Sequence, residues 1–274
     1  MDSTPALAAI LDEVISLVRQ VAYQEVMPRF MHVRRELKDD GTLFSEADVA
    51  AQRYLAERLP KVIDCPIIGE EMSPDEQRRA WSRGERGVWC IDPIDGTTNF
   101  INGLPIFAIS VAWIDGGRPR VGVTFNPVTE EMFYAREGGG AYLNGQRLPL
   151  RVVTHDIGRG VANIDFKRIP KPLADRIAIE PPFYSQRNFG SSTLEWCYLA
   201  AGRLDLYLHG GQNLWDYAAG RVILGEAGGH ATTLEAEPID DDAPWQRSVV
   251  AALDAEVFTA WRDWIRAPDT TPGL

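Results

Sequence analysis

Apolar residues recur at helical spacing near the start of the chain. Thr4-Pro5 offers a cap followed by a proline for a first turn. The apolar positions that follow it are Ile10, Val14, Leu17, Val18 and Val21. This pattern predicts an amphipathic helix. After the polar break LKDDGT, the stretch SEADVAAQRYLAERL predicts a second helix, with Ser45 and Asp48 arranged as a capping box.

Shorter apolar runs, separated by turn residues, predict strands between residues 67 and 148. IIGEE is a short apolar run that ends in two acids, and GVWCID has the composition of a buried strand. FAISVAWIDGGRPRVGVTFNP predicts two strands around a Gly-Gly turn. EMFYAREGGGAYLNGQRL predicts two more strands with a turn at Asn144-Gly145. This part of the chain is therefore expected to be α+β.

Helices and strands also alternate after residue 180. SSTLEWCYLAAG predicts a helix, RLDLYLH a strand, and NLWDYAAGRVILGEAGG a helix that stops at a Gly-Gly pair. A strand over residues 248–253 and an aromatic-bearing last helix complete the pattern. Between residues 151 and 180 the signals are mixed. We therefore expect a division there, into an N-terminal half of residues 1–150 and a C-terminal half of residues 151–274.

The composition excludes several classes of protein. Apolar residues make up 45% of the 274 residues and charged residues 24%, as in ordinary globular proteins. A formal net charge of −11 argues against a nucleic-acid partner, but not against an anionic substrate, because bound metal ions reverse the local field. The apolar runs are too short for a bilayer, so we expect no membrane partner. Three scattered cysteines and the lack of a signal-peptide pattern favour a cytoplasmic protein.

The candidate chemistry is concentrated in WCIDPIDGTTNF, where Asp92 and Asp95 flank Pro93 and Ile94. Proline stops strand pairing after Asp92, and Gly96 allows the chain to turn. Two carboxylates this close repel each other unless a cation lies between them, and hard oxygen ligands on short side chains suit Mg²⁺. An equally acceptable interpretation is that Asp95 caps the next helix while Asp92 faces solvent.

The residues after the acids favour the metal interpretation. Gly96, Thr97 and Thr98 would present backbone N–H groups and hydroxyls at a helix start, where anions bind. Metal ligands beside an anion site suit a phosphate ester, because cations neutralise some of its oxygens while the helix start holds the others. The stretch therefore predicts metal-assisted chemistry on a phosphate ester.

Three separated motifs, IIGEE, DPIDGTTNF and LWDYAAG, resemble in this order the signature set of the inositol monophosphatase family. The resemblance extends from about the first helix to Gly229. It implies an α+β fold in the form of a layered αβαβα sandwich. It also implies hydrolysis of a small phosphate monoester by metal-activated water, with two or three Mg²⁺ ions, in a homodimer.

The same resemblance assigns roles to individual residues. The positions that match the family's metal ligands, with Ile94 contributing its backbone carbonyl, are Glu70, Asp92, Ile94, Asp95 and Asp216. Thr97 and Asp48 match the pair that orients and activates the attacking water, and Glu70 is a further catalytic candidate. Simpler explanations stay open for two acids, since Asp48 can complete the capping box with Ser45 and Asp216 can be a favourable acid in a first helical turn.

On the substrate side the chain departs from the family. His209 stands where members that act on inositol carry a glutamate, and exchanging a carboxylate for imidazole changes what a site recognises. A lone histidine at a strand end also has a purely structural interpretation. FGSS matches the family's substrate loop. The phosphate- and substrate-binding candidates are Gly96, Thr97, Thr98, Gly190, Ser191, His209 and Asp216.

The expected activity is that of an inositol monophosphatase-like phosphoric monoester hydrolase acting on a small-molecule phosphate ester. One alternative is the same chemistry on histidinol phosphate, fructose 1,6-bisphosphate or another sugar phosphate. A second alternative is a catalytically silent member that binds or regulates a partner. The complete acid set argues against the silent member, because a protein released from catalysis has no chemical need for these acids together.

Overall fold

Two β-sheets alternate with three layers of helices in the order helix, sheet, helix, sheet, helix. The computed structural model describes residues 4–32, 36–37, 43–235, 238–239 and 245–267. This arrangement confirms the α+β class and the layered αβαβα sandwich. No helix in the described ranges is long and apolar enough to cross a membrane.

The first large sheet has seven strands and is preceded by a short ribbon of β1 (Glu36–Leu37) and β2 (Leu43–Phe44). Its strands, each paired with the next, are β3 (Ile67–Gly69), β4 (Val88–Asp95), β5 (Ala108–Asp115), β6 (Arg118–Asn126), β7 (Glu131–Arg136), β8 (Gly140–Leu143) and β9 (Gln146–Arg147). β3 and β4 are parallel, and the remaining pairs are antiparallel. The predicted turns at Gly116-Gly117 and Asn144-Gly145 are confirmed, with positive φ at all four residues.

The helices enclose both sheets. They are α1 (Thr4–Val21), α2 (Glu46–Ala56), α3 (Leu59–Val62), α4 (Pro74–Ser82), α5 (Thr97–Ile101), α6 (Lys171–Ile179), α7 (Ser192–Ala200), α8 (Leu214–Glu226) and α9 (Ala255–Arg266). A π-turn and a 3-10 turn extend α1 to Arg29, and a further 3-10 turn spans Ile157–Arg159. α1 and α2 cover the outer face of the first sheet, where Val14 and Val18 are buried together with Trp89 of β4.

The second sheet has five strands. In spatial order they are β11 (Ser185–Arg187), β10 (Val161–Ile164), β12 (Leu206–Asn213), β14 (Gln246–Ala252) and β13 (His230–Thr232). α6 and α9 cover its outer face, where Ile177 and Trp261 are buried. α7 and α8 lie between the two sheets and share one core with them, which contains Cys90, Trp196 and Tyr207. The site described below lies where this middle layer begins.

The structure corrects one prediction for the middle of the chain and supplies the elements of a stretch for which none was predicted. EMFYAREGGGAYLNGQRL forms three strands and not two, because the chain also reverses around Gly138 and Gly140, which have positive φ. Residues 151–180, where the signals were mixed, contain β10 and α6. The division at residue 150 stays a prediction. The helices α7 and α8, which follow residue 150 in the chain, pack against strands of the first sheet in a shared core.

Candidate active site

Asp92 and Asp95 face the same side of the first sheet because β4 is bulged between them. In a regular strand, residues three apart point to opposite faces. Here Asp92 lies opposite Ser110 and Asp95 lies opposite Ala108, so three steps along β4 correspond to two along β5. The extra residue resets the alternation. Both carboxylates can therefore point toward the middle helices, while the Ile94 side chain is buried on the outer face.

Helix α8 brings a third carboxylate to the same point. Asp216 lies in its first turn, and its Oδ2 accepts the Asn213 N–H at 2.8 Å. One oxygen from each of Asp92, Asp95 and Asp216 lies within 4.8 Å of the others. We call these three residues the carboxylate cluster. Asp216 is thus both a first-turn acid and a member of this cluster.

The start of α7 holds the side chain of Asp95. Its Oδ2 accepts hydrogen bonds from the Ser191 hydroxyl at 2.6 Å and from the N–H and hydroxyl of Thr193, each at 2.7 Å. Ser191 occupies the N-cap position of α7, but its side chain does not cap the helix; its hydroxyl donates to Asp95 instead. These bonds orient Asp95 within the protein before any ligand binds.

Burial raises the pKa of each acid in the carboxylate cluster, and the charges of neighbouring acids raise the pKa of Asp92 and Asp216 further. The pKa of Asp92 lies well above its ordinary value, first because burial penalises the charged form and then because Glu70, Asp95 and Asp216 lie nearby. Burial, followed by the charge of Asp95, raises the pKa of Asp216 to about 7. Burial also raises the pKa of Asp95, against the effect of its hydrogen bonds. Three hard oxygen donors that are this costly to ionise together fit Mg²⁺, whose charge stabilises the carboxylate form.

Glu70 and Ile94, the two other predicted metal ligands, line the same cavity as the carboxylate cluster. Glu70 follows β3, lines the same cavity and helps to raise the pKa of Asp92 through its charge. The 4.8 Å group found among the described residues does not include it. Ile94 also lines the cavity, and its carbonyl oxygen accepts the Thr97 hydroxyl at 3.0 Å.

Gly96, Thr97 and Thr98 stand at the start of α5 and line the same cavity. Gly96 is the N-cap residue, with a φ of 86°, a left-handed conformation that favours glycine. A side chain there would also crowd the carbonyl oxygens of Ile106 and Gly190. Because α5 has only five residues, it offers the N–H groups of one turn and little helix dipole.

Asp48 forms the capping box of α2. Its Oδ2 accepts the N–H of Ser45 at 2.8 Å and the hydroxyl of Ser45 at 2.7 Å. The capping interpretation is therefore confirmed. Asp48 is fully buried and is not among the described residues that line the cavity, but its charge contributes to the raised pKa of Asp92.

The cavity beside the carboxylate cluster has a volume of about 490 Å³, which is enough for a small phosphate ester. Gly190 and His209, both predicted from the sequence, line it, and so do Asp165 and Arg168, which were not predicted. Among the described residues that line the cavity, Arg168 carries the one permanent positive charge. The cavity is therefore strongly acidic until a cation enters it.

The family model described as "Inositol monophosphatase family" matches residues 7–263. The chain belongs to the inositol monophosphatase family. It is 34% identical over 237 residues to an inositol-1-monophosphatase of Rhizobium meliloti, a match that covers 85% of this chain and 86% of that protein. It is 35% identical over 228 residues to a fructose-1,6-bisphosphatase/inositol-1-monophosphatase of Thermotoga maritima, covering 81% of this chain and 84% of that protein.

A solved structure of this inositol monophosphatase family confirms the fold. The inositol monophosphatase (IMPase) of Thermotoga maritima matches with a TM-score of 0.77 at 29% identity, over 93% of this chain and 98% of that chain. The resemblance carried by IIGEE, DPIDGTTNF and LWDYAAG is thus confirmed, and with it the assignment of the protein as an enzyme that hydrolyses phosphoric monoesters.

Sequence reasoning missed Thr193 and Asn99, which join distant parts of the candidate site. Thr193 contributes two of the hydrogen bonds on Asp95. Asn99, the asparagine of DGTTNF, donates from Nδ2 to the carbonyl oxygens of Ile106 at 2.7 Å and Phe189 at 2.8 Å. It thereby ties the turn after β4 to the loop before α7. The position of Asn99 inside the motif was the available signal.

Glu195 was also missed, although it lines the cavity and is almost fully buried. Its Oε1 accepts the N–H groups of Phe189 and Gly190, both at 3.0 Å, and its Oε2 accepts the Tyr207 hydroxyl at 3.0 Å. Burial, followed by the charge of Asp95, raises the pKa of Glu195 to about 7. The signal for it in the sequence was that Glu195 is the one charged residue of α7, STLEWCYLA.

Proposed function

We propose that the protein is a Mg²⁺-dependent phosphatase for small polyol or sugar monophosphates, of which inositol 1-phosphate is the first candidate. The observation that carries this proposal is the carboxylate cluster. Three acids from β4 and α8 lie within 4.8 Å of one another beside a cavity of about 490 Å³. Packing alone gives no reason to bring three like charges together, whereas a divalent cation does.

Five groups would hold the metal, and they are Glu70, Asp92, the Ile94 carbonyl, Asp95 and Asp216. The proximity of the three aspartates and the raised pKa of Asp92 support this assignment. A number of two or three ions follows from the family resemblance. Bound Mg²⁺ neutralises phosphate oxygens and makes a coordinated water more acidic.

Other residues would bind the phosphate and orient the attacking water. The N–H groups of Gly96, Thr97 and Thr98 lie in the first turn of α5, where they have no helical acceptor and can receive phosphate oxygens. The Thr97 hydroxyl would turn from the Ile94 carbonyl to hold the water in line with phosphorus. Asp48, whose charge already reaches Asp92, would accept the proton that passes through Thr97.

The loop before α7 would complete the phosphate side of the site. Gly190 lines the cavity with a φ of 71°, and the Glu195 carboxylate fixes its N–H. Ser191 is fully buried and its hydroxyl donates to Asp95, so we propose that it acts on the ligand through that carboxylate. His209 also lines the cavity and would contribute to the substrate side of the site.

A panel of phosphate esters tests this proposal. We expect phosphate release from inositol 1-phosphate and from a chromogenic aryl phosphate, dependent on Mg²⁺ and abolished by EDTA. Histidinol phosphate, fructose 1,6-bisphosphate and other sugar phosphates are the alternative substrates for the same chemistry, and the panel ranks them. If none of these esters releases phosphate at millimolar Mg²⁺, the silent binding or regulatory alternative replaces the enzyme.

We further propose a homodimer in the cytoplasm. The homodimer rests on the family resemblance. Support for a reducing compartment comes from the cysteines, since Cys65, Cys90 and Cys197 are all free and buried. Light scattering coupled to gel filtration should give about twice the 30.5 kDa mass of one chain. A single-chain mass at micromolar concentration would contradict the homodimer.

A further inference from the structure

Both ring nitrogens of His209 already have partners in the protein. The Gly211 N–H donates to Nδ1 at 3.2 Å, so Nδ1 is an acceptor and the ring proton of the neutral imidazole resides on Nε2. Nε2 lies 3.4 Å from Oδ2 of Asp165. The His209 side chain is 5% exposed, which leaves little of it to contact a ligand. Nε2 of His209 therefore contacts Asp165 and not a ligand.

Asp165 presents a carboxylate that the surrounding groups keep charged. Its Oδ1 accepts the Lys167 N–H at 3.0 Å, and its Oδ2 lies 3.5 Å from Nε of Arg168. The contact with the His209 ring is the largest of several effects that lower the pKa of Asp165. The side chain is 19% exposed and lines the cavity. A charged acceptor is thus available to a ligand at this point.

The chain brings Asp165 to His209 by a close backbone approach. β12 is bulged at Gly210-Gly211, since His209 pairs with Val249 while Gln212 pairs with Arg247. A Cβ atom on Gly210 would lie 1.6 Å from the Arg168 carbonyl oxygen, closer than any two such atoms can come. Glycine at this position lets the turn from Asp165 to Arg168 pack directly on β12.

From this geometry we infer that Asp165 is the specificity-determining acceptor for a hydroxyl group of the substrate, and that His209 is the positioning residue that holds it. The inference rests on the phosphatase function proposed above and deepens it. The carboxylate that family members acting on inositol carry at position 209 is supplied here by Asp165, which directly follows β10, the neighbouring strand of β12. The substrate class is a hydroxyl-bearing monophosphate, with a donor hydroxyl directed at Asp165.

The charges at this end of the cavity disfavour a second phosphate. Arg168 could attract one, but its guanidinium lies against Asp165, whose carboxylate repels a phosphate and accepts from a hydroxyl. A hydroxyl donor to a charged acceptor strengthens binding by about 1.5 to 3 kcal/mol, which corresponds to roughly tenfold to a hundredfold in affinity. Fructose 1,6-bisphosphate should therefore be a poorer substrate than inositol 1-phosphate.

The test compares kcat/KM for inositol 1-phosphate, fructose 1,6-bisphosphate and p-nitrophenyl phosphate in wild type and Asp165→Asn. We expect the ratio of inositol 1-phosphate to p-nitrophenyl phosphate to fall at least about tenfold in Asp165→Asn. The ratio of bisphosphate to inositol 1-phosphate should rise. Asp175→Asn, an exposed acid of α6, is the matched control and should change neither ratio.

His209→Gln tests the positioning role. It should lower the same ratio through KM. The double variant with Asp165→Asn should have the same ratio as Asp165→Asn alone, because both substitutions remove the same interaction. A ratio that stays within twofold in a folded Asp165→Asn protein overturns the inference while the phosphatase function stands. Loss of bisphosphate hydrolysis in Arg168→Gln, with an unchanged ratio in Asp165→Asn, overturns it as well. Absence of Mg²⁺-dependent release in wild type refutes the proposed function itself.

Discussion

Two parts of the cavity lining, which we call the metal end and the substrate end after their proposed roles, are built in different ways. At the metal end, the carboxylate cluster comes from a strand and a helix start, and donors from α7 hold Asp95. At the substrate end, Asp165 and Arg168 lie on a turn, and the Arg168 side chain is 56% exposed. Charges at the metal end repel one another, whereas those at the substrate end are paired. The proposed chemistry therefore resides on regular elements, and the proposed selectivity on a turn that can vary independently of them.

The largest expected effect separates the metal end from the rest of the fold. Asp95→Asn keeps the shape of the side chain but removes a charge that would bind Mg²⁺, so turnover should fall by about a thousandfold or more, or about 4 kcal/mol. The melting temperature of the metal-free protein should rise, because a repelling carboxylate has been removed. Phosphate release and thermal unfolding measure the two effects.

An exposed acid of α1 provides the control for this substitution. Asp12→Asn should leave both turnover and melting temperature unchanged, since Asp12 is exposed and lies outside the cavity. Full activity of Asp95→Asn at ordinary Mg²⁺ concentrations would remove Asp95 from the site and, with it, the distinction between the two ends.

Thr97→Ala should separate metal binding from water activation within the metal end. It removes one hydroxyl and leaves every proposed metal ligand in place. We expect kcat to fall about a hundredfold, with a smaller change in the Mg²⁺ concentration needed for half activity. Thr259→Ala on α9, an exposed threonine, is the control. Normal turnover at saturating Mg²⁺ combined with weakened metal binding would show that Thr97 has a different role.

Gly210→Ala should disturb the substrate end and spare the metal end. The added methyl would displace the turn that carries Asp165, so we expect a loss of about 2 to 3 kcal/mol of unfolding free energy in urea. The preference for inositol 1-phosphate over an aryl phosphate should fall several-fold, with unchanged Mg²⁺ dependence. The neighbouring Gly211→Ala is a close control, because a Cβ there meets Gln246 at an ordinary 3.8 Å. Equal effects of the two substitutions would contradict the close-approach explanation.

The last expected effect is on the pH dependence of stability and concerns Glu195, which supports the loop before α7. Its folded pKa of about 7 lies above the ordinary value of 4.5, so the folded state binds this proton more tightly than the unfolded state. The Glu195 contribution to stability is therefore greatest below pH 4.5 and decreases as the pH rises toward 7. Glu195→Gln should flatten the decline in unfolding free energy over this window, by an amount on the order of 3 kcal/mol. Parallel pH profiles for the two proteins would contradict this assignment.

The sequence pattern correctly predicted features that depend on residues close together in the chain. The capping box of Ser45 and Asp48 and the turn at Asn144-Gly145 involve neighbours in the chain, and both form as expected. The bulge that lets both acids of DPID face one side depends on how β4 pairs with β5, which residue types alone do not specify. The resemblance of the motif to the family supplied this information, because it assigned both aspartates to one site without reference to strand pairing.

The partners of Asp165 and Glu195 lie too far along the chain for pattern reasoning. Asp165 meets His209 only because β10 and β12 are neighbours in a parallel pair. Glu195 reaches Tyr207 through the adjacency of α7 and β12. The mixed signals of residues 151–180 also concealed β10 itself, the strand that directly precedes Asp165. These contacts could be found only once the topology was known.

The hydrogen bonds on Asp95 have a consequence for how the chain is made. The donors, Ser191 and Thr193, lie 96 and 98 positions after Asp95 in the chain. During synthesis, DPIDGTTNF leaves the ribosome well before these donors, at roughly 5 to 20 residues per second, so the nascent first sheet carries Asp92 and Asp95 for several seconds without them. A divalent cation such as Mg²⁺ could supply the counter-charge in that interval. Magnesium should therefore increase the folding yield of chains during translation more than it increases the refolding yield of finished chains.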